Sequence, residues 1–260
     1  MNERDAFIDF AGQMLKLNYA QQFQDVFALW QSGLSRTGYF VEFGALNGID
    51  YSNTYLMELL GWNGVVSEPH PGYKTRILES RKCNITTDCI WTEDNGTVEF
   101  QTVIGRPALS GIAGIDYDDI AGRAGRREQT QRHQVNTIRL ETLLAQLGAP
   151  TQPDFLSIDT EGSELAILSD FDFSAFQFGV VTVEHGFSSQ RGPLSELFAA
   201  NGYVNKWPDI SEHDDWYVHE SYLPRGEGSA STYQATLQSL TNGLPESNHF
   251  ADRERRFQAL

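Results

Sequence analysis

The chain is poor in cysteine and in positive charge, and it has no long apolar run. Of 260 residues only two are cysteines, Cys83 and Cys89. Two thiols make no disulfide framework, and no histidine or cysteine stands at zinc-finger spacing around them. A reducing, cytoplasmic setting is the simpler expectation. Basic residues number 19 against 35 acidic, a net charge of −16. So negative a surface repels phosphate backbones and anionic lipid, so no nucleic-acid partner is expected. Apolar runs fall far short of the about 20 residues a membrane-spanning helix needs, and no membrane insertion is expected. The opening MNERDAFIDF is charged from its start and lacks an apolar signal core. Two nucleotide signatures are also missing: G-x-G-x-x-G, and a phosphate loop ending in Gly-Lys-Ser or Gly-Lys-Thr.

What is present is ordinary globular material, with 40% hydrophobic residues and length enough for one large domain. Phe23, Val26, Phe27 and Trp30 fall at helical spacing, and Phe7, Phe10, Met14 and Leu17 suggest a further helix, so residues 1–37 read as a helical segment. Tyr39 to Phe43 read as a buried strand ending at Gly44. A helix over Asn53 to Leu60 follows, then a strand from Gly64 to Ser67 running into Glu68. Pro71 opens a helix to Ser80, and Asn84 to Cys89 read as a third strand. This alternation argues for an α/β fold, a mostly parallel sheet with helices on both faces. Thr97 to Val103 is strand-like. Residues 105–134 lack periodicity and read as a lid-like insertion. Strands then end at Asp159 and at Glu184–His185, and Tyr203 to Trp207 with Trp216 to Val218 read as a closing antiparallel pair. The main domain is thus expected over 38–222, and the Gly-, Ser- and Asn-rich residues 223–260 as a mobile tail. No internal repeat is present.

Four strand ends carry chemistry, and in a parallel sheet all four face one crevice. Gly44 and Gly48 in EFGALNG let backbone pass close to a ligand; the alternative is a tight turn and nothing more. Glu68, about 20 residues on, stands where an acidic residue commonly accepts from a ribose diol. The turn brings no lysine or arginine to balance a pyrophosphate. An acidic crevice suits a nucleoside that carries a positive sulfonium. Asp159, Glu161, Glu164, Glu184 and His185 supply carboxylates and an imidazole. They suit a divalent cation, or a general base with its orienting carboxylate. Glu161 and Glu164 could equally cap a helix start.

The run GYFVEFGALNGIDYSNTYLMELLGWNGVVSEPHP resembles the cofactor region of the FkbM methyltransferase family, and DFLSIDTEGSE resembles its second signature, strand-Asp-x-Glu-Gly-x-Glu. QQFQDVFALW is similar to the short helix that often precedes the cofactor strand. The resemblance covers roughly residues 22–218 and implies a Rossmann-like, class I methyltransferase sheet of about seven strands, one of them antiparallel. It implies that S-adenosylmethionine is the cofactor. Glu42, Gly44 and Gly48 would surround its methionine part, with Ser52 and Asn53 next to it. Glu68 would hold the ribose, Asp88 would lie near the adenine, and Phe43 and Pro69 would pack nearby. In the fold-related catechol O-methyltransferases a magnesium ion is held after the fourth and fifth strands. Asp159, Glu184 and His185 match by position, with Glu-His where Asp-Asn would stand. The implied ion is magnesium or manganese; the metal-free alternative makes His185 the base, oriented by Asp159 or Glu184.

The implied reaction is O-methylation of a sugar, glycolipid or secondary metabolite, a small-molecule or glycan acceptor. Arg126 and Arg127 in the insertion would recognise an anionic group on it, with Glu161, His133 and His213 at the acceptor side. Trp207, Trp216 and Tyr217 are either an acceptor platform or core. A homo-oligomer is compatible with the sequence, which does not set the oligomeric state. The competing readings are a nucleotide-cofactor oxidoreductase and a non-catalytic cofactor-binding protein on the same fold.

Overall fold

A computed structural model describes residues 2–115, 129–222 and 242–258. The first elements are α1 (Glu3–Met14), α2 (Gln24–Gln31), β1 (Tyr39–Phe43), α3 (Tyr55–Leu60), β2 (Asn63–Ser67) and α4 (Lys74–Ser80). Next come β3 (Asn84–Thr86), β4 (Cys89–Ile90), β5 (Thr97–Val103), β6 (Gly111–Ile112), β7 (Thr130–Ile138) and α5 (Leu140–Gln146). The chain continues with β8 (Phe155–Ile158), α6 (Glu164–Ser169), β9 (Val180–Glu184), α7 (Arg191–Ala200), β10 (Tyr203–Asn205), β11 (Asp214–His219) and α8 (Phe250–Phe257).

Among the described residues the large sheet has seven strands, in the order β10-β11-β9-β8-β1-β2-β3. From β9 to β3 every neighbour is parallel, and β11 runs antiparallel to both β9 and β10. Both faces are covered, and side-chain alternation shows it. Phe40, Val66, Phe155, Val180 and Trp216 enter one core, while Val41, Val65, Leu156, Val181 and Tyr217 enter the other. Two-sided burial explains why these strands read as continuous apolar runs. The first core takes in the N-terminal helices. Phe7 stacks on Trp207 at 5.0 Å, and Phe27 stacks on Trp216 at 4.7 Å. Trp216 and Tyr217 are therefore buried core residues, and the half-buried Trp207 is cover for α1 and α2, not an acceptor platform.

Three expectations need correction. The third strand divides in two: Asn84–Thr86 stays in the large sheet, and Cys89–Ile90 joins a four-stranded sheet, order β4-β7-β5-β6. That second sheet takes up two short pieces, Gly111–Ile112 and Thr130–Gln134, of what reads as an element-free insertion over 105–134. Its long strand β7 escapes sequence reading because its first residues are mostly exposed and polar. Residues 116–128 lie outside the described ones. Finally, residues 242–258 are docked rather than a loose tail. Arg253 is fully buried and donates to the carbonyls of Tyr19 and Ala20, and Tyr19 Oη donates to the Pro245 carbonyl at 2.7 Å. Residues 223–241 are outside the described part. Among the described residues, no helix is long and apolar enough to cross a membrane.

Candidate functional site

The C-terminal ends of β1, β2, β8 and β9 open on a cavity of about 450 Å³. That size suits a small-molecule ligand. It lies where the connections diverge, between β1 and β8, the usual ligand position in such sheets. The second sheet supplies the opposite wall through Phe100 and Ile112, and the turn at Pro107–Leu109 adds to it.

Gly44 sits at the divergence with φ +83°, and a Cβ there would lie 1.8 Å from the Asp159 carbonyl oxygen. The glycine is thus required by β1–β8 backbone packing, which in turn places Asp159. Glu68, at the end of β2, is 3% exposed. Its Oε2 accepts from the Leu46 amide at 2.6 Å and its Oε1 from the His70 amide at 2.8 Å. Burial, with smaller contributions from Glu42 and Asp159, pushes its pKa up to about 8. Phe43, Gly44, Asn53, Glu68, Pro69 and Asp159 all line the cavity. Asn53 Nδ2 donates to Ser157 Oγ at 2.8 Å, while its Oδ1 is buried without a hydrogen-bond partner.

Beyond Gly44 lies a carboxylate trio. Asp159, Glu161 and Glu184 each bring an oxygen within 4.8 Å of the others. Glu161 adopts φ +59°, a left-handed backbone that non-glycine residues seldom take and that clusters at functional sites. The second sheet presses on this turn: a Cβ on Gly111 would lie 3.2 Å from the Thr160 carbonyl oxygen. Enclosure raises Asp159 to about 6, despite a hydrogen bond shared with Glu184. Burial first, then repulsion from Asp159 and Glu161, holds Glu184 well above the carboxylate range. Asp214, opposite Glu184 on β11, is raised to about 8 chiefly by burial. So many enclosed carboxylates repel an anion and favour a cation. Three carboxylate oxygens also match the donor preference of a hard divalent ion.

The structure places several of the expected residues outside the cavity lining. His185 is buried with its ring away from the cavity. Its Nδ1 accepts from the Phe187 amide at 2.9 Å, its Nε2 lies 3.7 Å from Asp215, and burial lowers its pKa to about 4. Glu161 takes its place beside Asp159 and Glu184. Glu42 points to the opposite face of β1 from Phe43. It accepts from Ser52 Oγ at 2.9 Å, the Asn53 amide at 2.6 Å and Thr54 Oγ1 at 2.5 Å, with Arg81 at 3.4 Å. Glu42 and Ser52 therefore brace the loop instead of lining the cavity. Gly48 faces α4, where a Cβ would meet Ser80 Oγ at 2.8 Å. Asp88 borders a smaller recess behind Glu68 and Pro69. Glu164 accepts from the Thr160 amide and hydroxyl and from the Gly162 amide, so it braces its own turn. His133 sits on the second sheet, 3.3 Å from Thr102 Oγ1, and does not line the cavity. His213 does line it. Arg126 and Arg127 lie outside the described residues.

Sequence reasoning missed Gln21, Tyr51 and the hydrophobic wall of Ile90, Phe100 and Ile112. Tyr51, with φ +63°, bridges to Ala20 and left no pattern to read.

Comparison with known proteins gives a family. Residues 42–222, well over half the chain, match the Methyltransferase FkbM domain. Among curated proteins no sequence matches the chain significantly. A solved structure with a similar course is precorrin-6y C5,15-methyltransferase from Geobacter metallireducens, 12% identical, covering 75% of this chain and 85% of that one with a TM-score of 0.38. That likeness is too distant to bear on function.

Proposed function

The chain belongs to the FkbM methyltransferase family, and from that premise we propose that it moves a methyl group from S-adenosylmethionine to a hydroxyl of a sugar, glycolipid or secondary metabolite. The observation that carries the reading is the meeting of Gly44, Glu68 and the carboxylate trio in one cavity at the sheet's divergence point. An acidic enclosure is suited to the donor's sulfonium and ammonium charges. Glu68 accepts from the ribose hydroxyls through lone pairs that the Leu46 and His70 amides leave over. Asn53 Oδ1, without a partner of its own, accepts from the donor's ammonium. Cys89 and Ile90 offer the apolar surface a purine needs.

Transfer is an in-line displacement. An acceptor oxygen forms a bond to the methyl carbon while the carbon–sulfur bond breaks, its electron pair passing to sulfur to leave S-adenosylhomocysteine. Holding oxygen, carbon and sulfur collinear supplies roughly 7–11 kcal/mol in favourable cases. The acceptor's proton passes to the Asp159–Glu184 pair, whose raised proton affinity suits a base working near neutrality. Asp159, Glu161 and Glu184 would hold a divalent cation, magnesium or manganese, which would lower the pKa of a bound hydroxyl. His185, enclosed and outside the cavity, has no part in the proton transfer.

Titration calorimetry tests the donor: S-adenosylmethionine should bind, and NAD should not. Glu68→Gln exchanges one acceptor oxygen for an amide donor beside the Leu46 and His70 amides, leaving a buried donor unsatisfied at a cost of about 1–3 kcal/mol, so donor affinity should fall roughly 10–100-fold. Absence of any S-adenosylmethionine signal would end the proposal. The cation is checked separately. Release of S-adenosylhomocysteine across an acceptor panel should drop at least about tenfold in chelator and return with manganese or magnesium. Equal rates with and without chelator would leave the carboxylates as base alone.

A further inference from the structure

A second cavity, of about 420 Å³, adjoins the first and has the opposite character. The two share Gln21 and Tyr51 as walls, and Glu212 of the second is followed directly by His213 of the first. Helix α8 brings Arg253, Arg255 and Arg256 to it against only Glu212 and Asp252, a local excess of one positive charge (three less two) in a chain of net −16. We propose that this cavity binds the anionic group, phosphate or carboxylate, of the methyl acceptor, whose hydroxyl reaches the first cavity past Tyr51. The inference rests on the methyltransferase reading for the word acceptor. The anion site itself rests on the arginines.

The three arginines do different work. Arg253 is committed to the fold, donating to the Tyr19 and Ala20 carbonyls and to Ser247 Oγ, with its guanidinium 5.9 Å from the Tyr51 ring. It ties the second cavity to the shared wall. Arg256 is the informative one. Its side chain is 33% exposed, but its Nη1 is buried without a hydrogen-bond partner, and its ion pair with Glu212 Oε2 is a loose one at 3.7 Å. A buried donor left unsatisfied is costly, and an oxyanion in the cavity would satisfy it. Arg255 pairs with Asp252 on the same helix while its side chain is 74% exposed, so it can turn inward at little cost. Two guanidinium forks of this kind suit the planar or tetrahedral oxygens of a carboxylate or phosphate.

The contrast between cavities fixes direction. An anion is repelled by Asp159, Glu161 and Glu184 and attracted by Arg255 and Arg256. An acceptor carrying both a hydroxyl and an anion therefore enters hydroxyl first toward the donor. The substrate class is a hydroxylated molecule bearing a phosphate or carboxylate on its far side.

The test uses the full chain and three calorimetric titrations: inorganic phosphate, acetate and S-adenosylmethionine. Phosphate or acetate should bind the wild type in the millimolar range. Whichever binds tighter identifies the oxyanion. Arg255→Gln/Arg256→Gln should weaken that anion at least about tenfold and leave donor affinity within about twofold. Arg255→Gln alone, at an exposed position, carries the comparison should the double variant melt early, with a drop of about threefold expected. Failure of both anions to bind, or binding unchanged in the variants, overturns the anion site. Loss of the donor signal with anion binding intact would instead overturn the methyl-donor reading.

Discussion

Gly44→Ala is expected to abolish donor binding and to cost the fold about 2–5 kcal/mol. Two effects add. The backbone at Gly44 is left-handed, φ +83°, which costs an alanine about 1–2 kcal/mol. The added Cβ would also sit 1.8 Å from the Asp159 carbonyl oxygen, a backbone atom that no rotamer change moves aside. Forcing a packed interior apart typically costs about 1–3 kcal/mol. Relief requires β1 and β8 to separate where Asp159 leaves the sheet, so the trio loses its geometry together with Gly44's turn. Urea unfolding should show the loss as a lower midpoint with unchanged slope, and calorimetry should show no S-adenosylmethionine signal. Gly192→Ala is the control. Its Cβ meets nothing within 4 Å and it lies in α7, so stability should stay within about 1 kcal/mol of wild type, with donor binding intact. A Gly44→Ala protein that melts normally and binds donor would remove the divergence point from the account of the site.

The strand-end residues were legible because the sheet is buried on both faces. Continuous apolar runs such as FVEF, GVVS and FLSI stop abruptly at glycine or carboxylate, and a parallel sheet sends all those stops to one edge. Gly44, Glu68, Asp159 and Glu184 stand at such stops, and all four line the cavity. The same logic, carried one step further, also explains the two misplaced side chains. Glu42 lies between Val41 and Phe43, so alternation turns it to the far face, onto Ser52, Thr54 and Arg81. His185 follows Glu184 at a strand end, and the reversal of direction buries it near Asp215. The remaining walls were illegible for a different reason. Gln21 and Tyr51 are brought in by tertiary contacts, among them the Ala20–Tyr51 bridge, the stacking of Tyr51 on His249 and the bond from buried Arg253, over 200 positions along the chain, to the Ala20 carbonyl. A single docking arginine in a polar tail has no periodicity to betray it. The second sheet was hidden because Thr130 to Gln134 lie mostly exposed, with no apolar alternation.

Glu184→Gln should make the free protein more stable at alkaline pH while cutting turnover about 10²–10⁴-fold. The stability half follows from proton linkage. A carboxylate whose pKa is higher folded than unfolded keeps its proton longer in the folded chain. Its favourable contribution is complete below the unfolded value and is lost as pH rises through the folded one. Asp159 spans 3.8 to about 6, Glu68 4.5 to about 8, Asp214 3.8 to about 8, and Glu184 is shifted in the same direction. Wild-type stability is therefore expected to decline from about pH 4 through pH 8 on their account. His185, lowered to about 4, acts with the opposite sign, its contribution growing from about pH 4 to 6.5; above that it is neutral in both states and drops out. The comparison is thus made between pH 6.5 and 8.5. A glutamine at 184 carries no charge to desolvate, and its amide can donate to Asp159, replacing repulsion by a hydrogen bond. The gain over wild type should widen as pH rises. The turnover half follows because the variant no longer shares the acceptor's proton or ligates a cation at that position, and a positioned acid–base group contributes about 10²–10⁴-fold. Saturating S-adenosylmethionine should flatten the wild-type decline, since its positive charge offsets the same carboxylates that the substitution neutralises. Melting curves across that pH range decide it. A variant less stable than wild type at pH 8.5, or one that still releases S-adenosylhomocysteine at the wild-type rate, would mean that Glu184 is an ordinary paired carboxylate and that the proton leaves the site by another route.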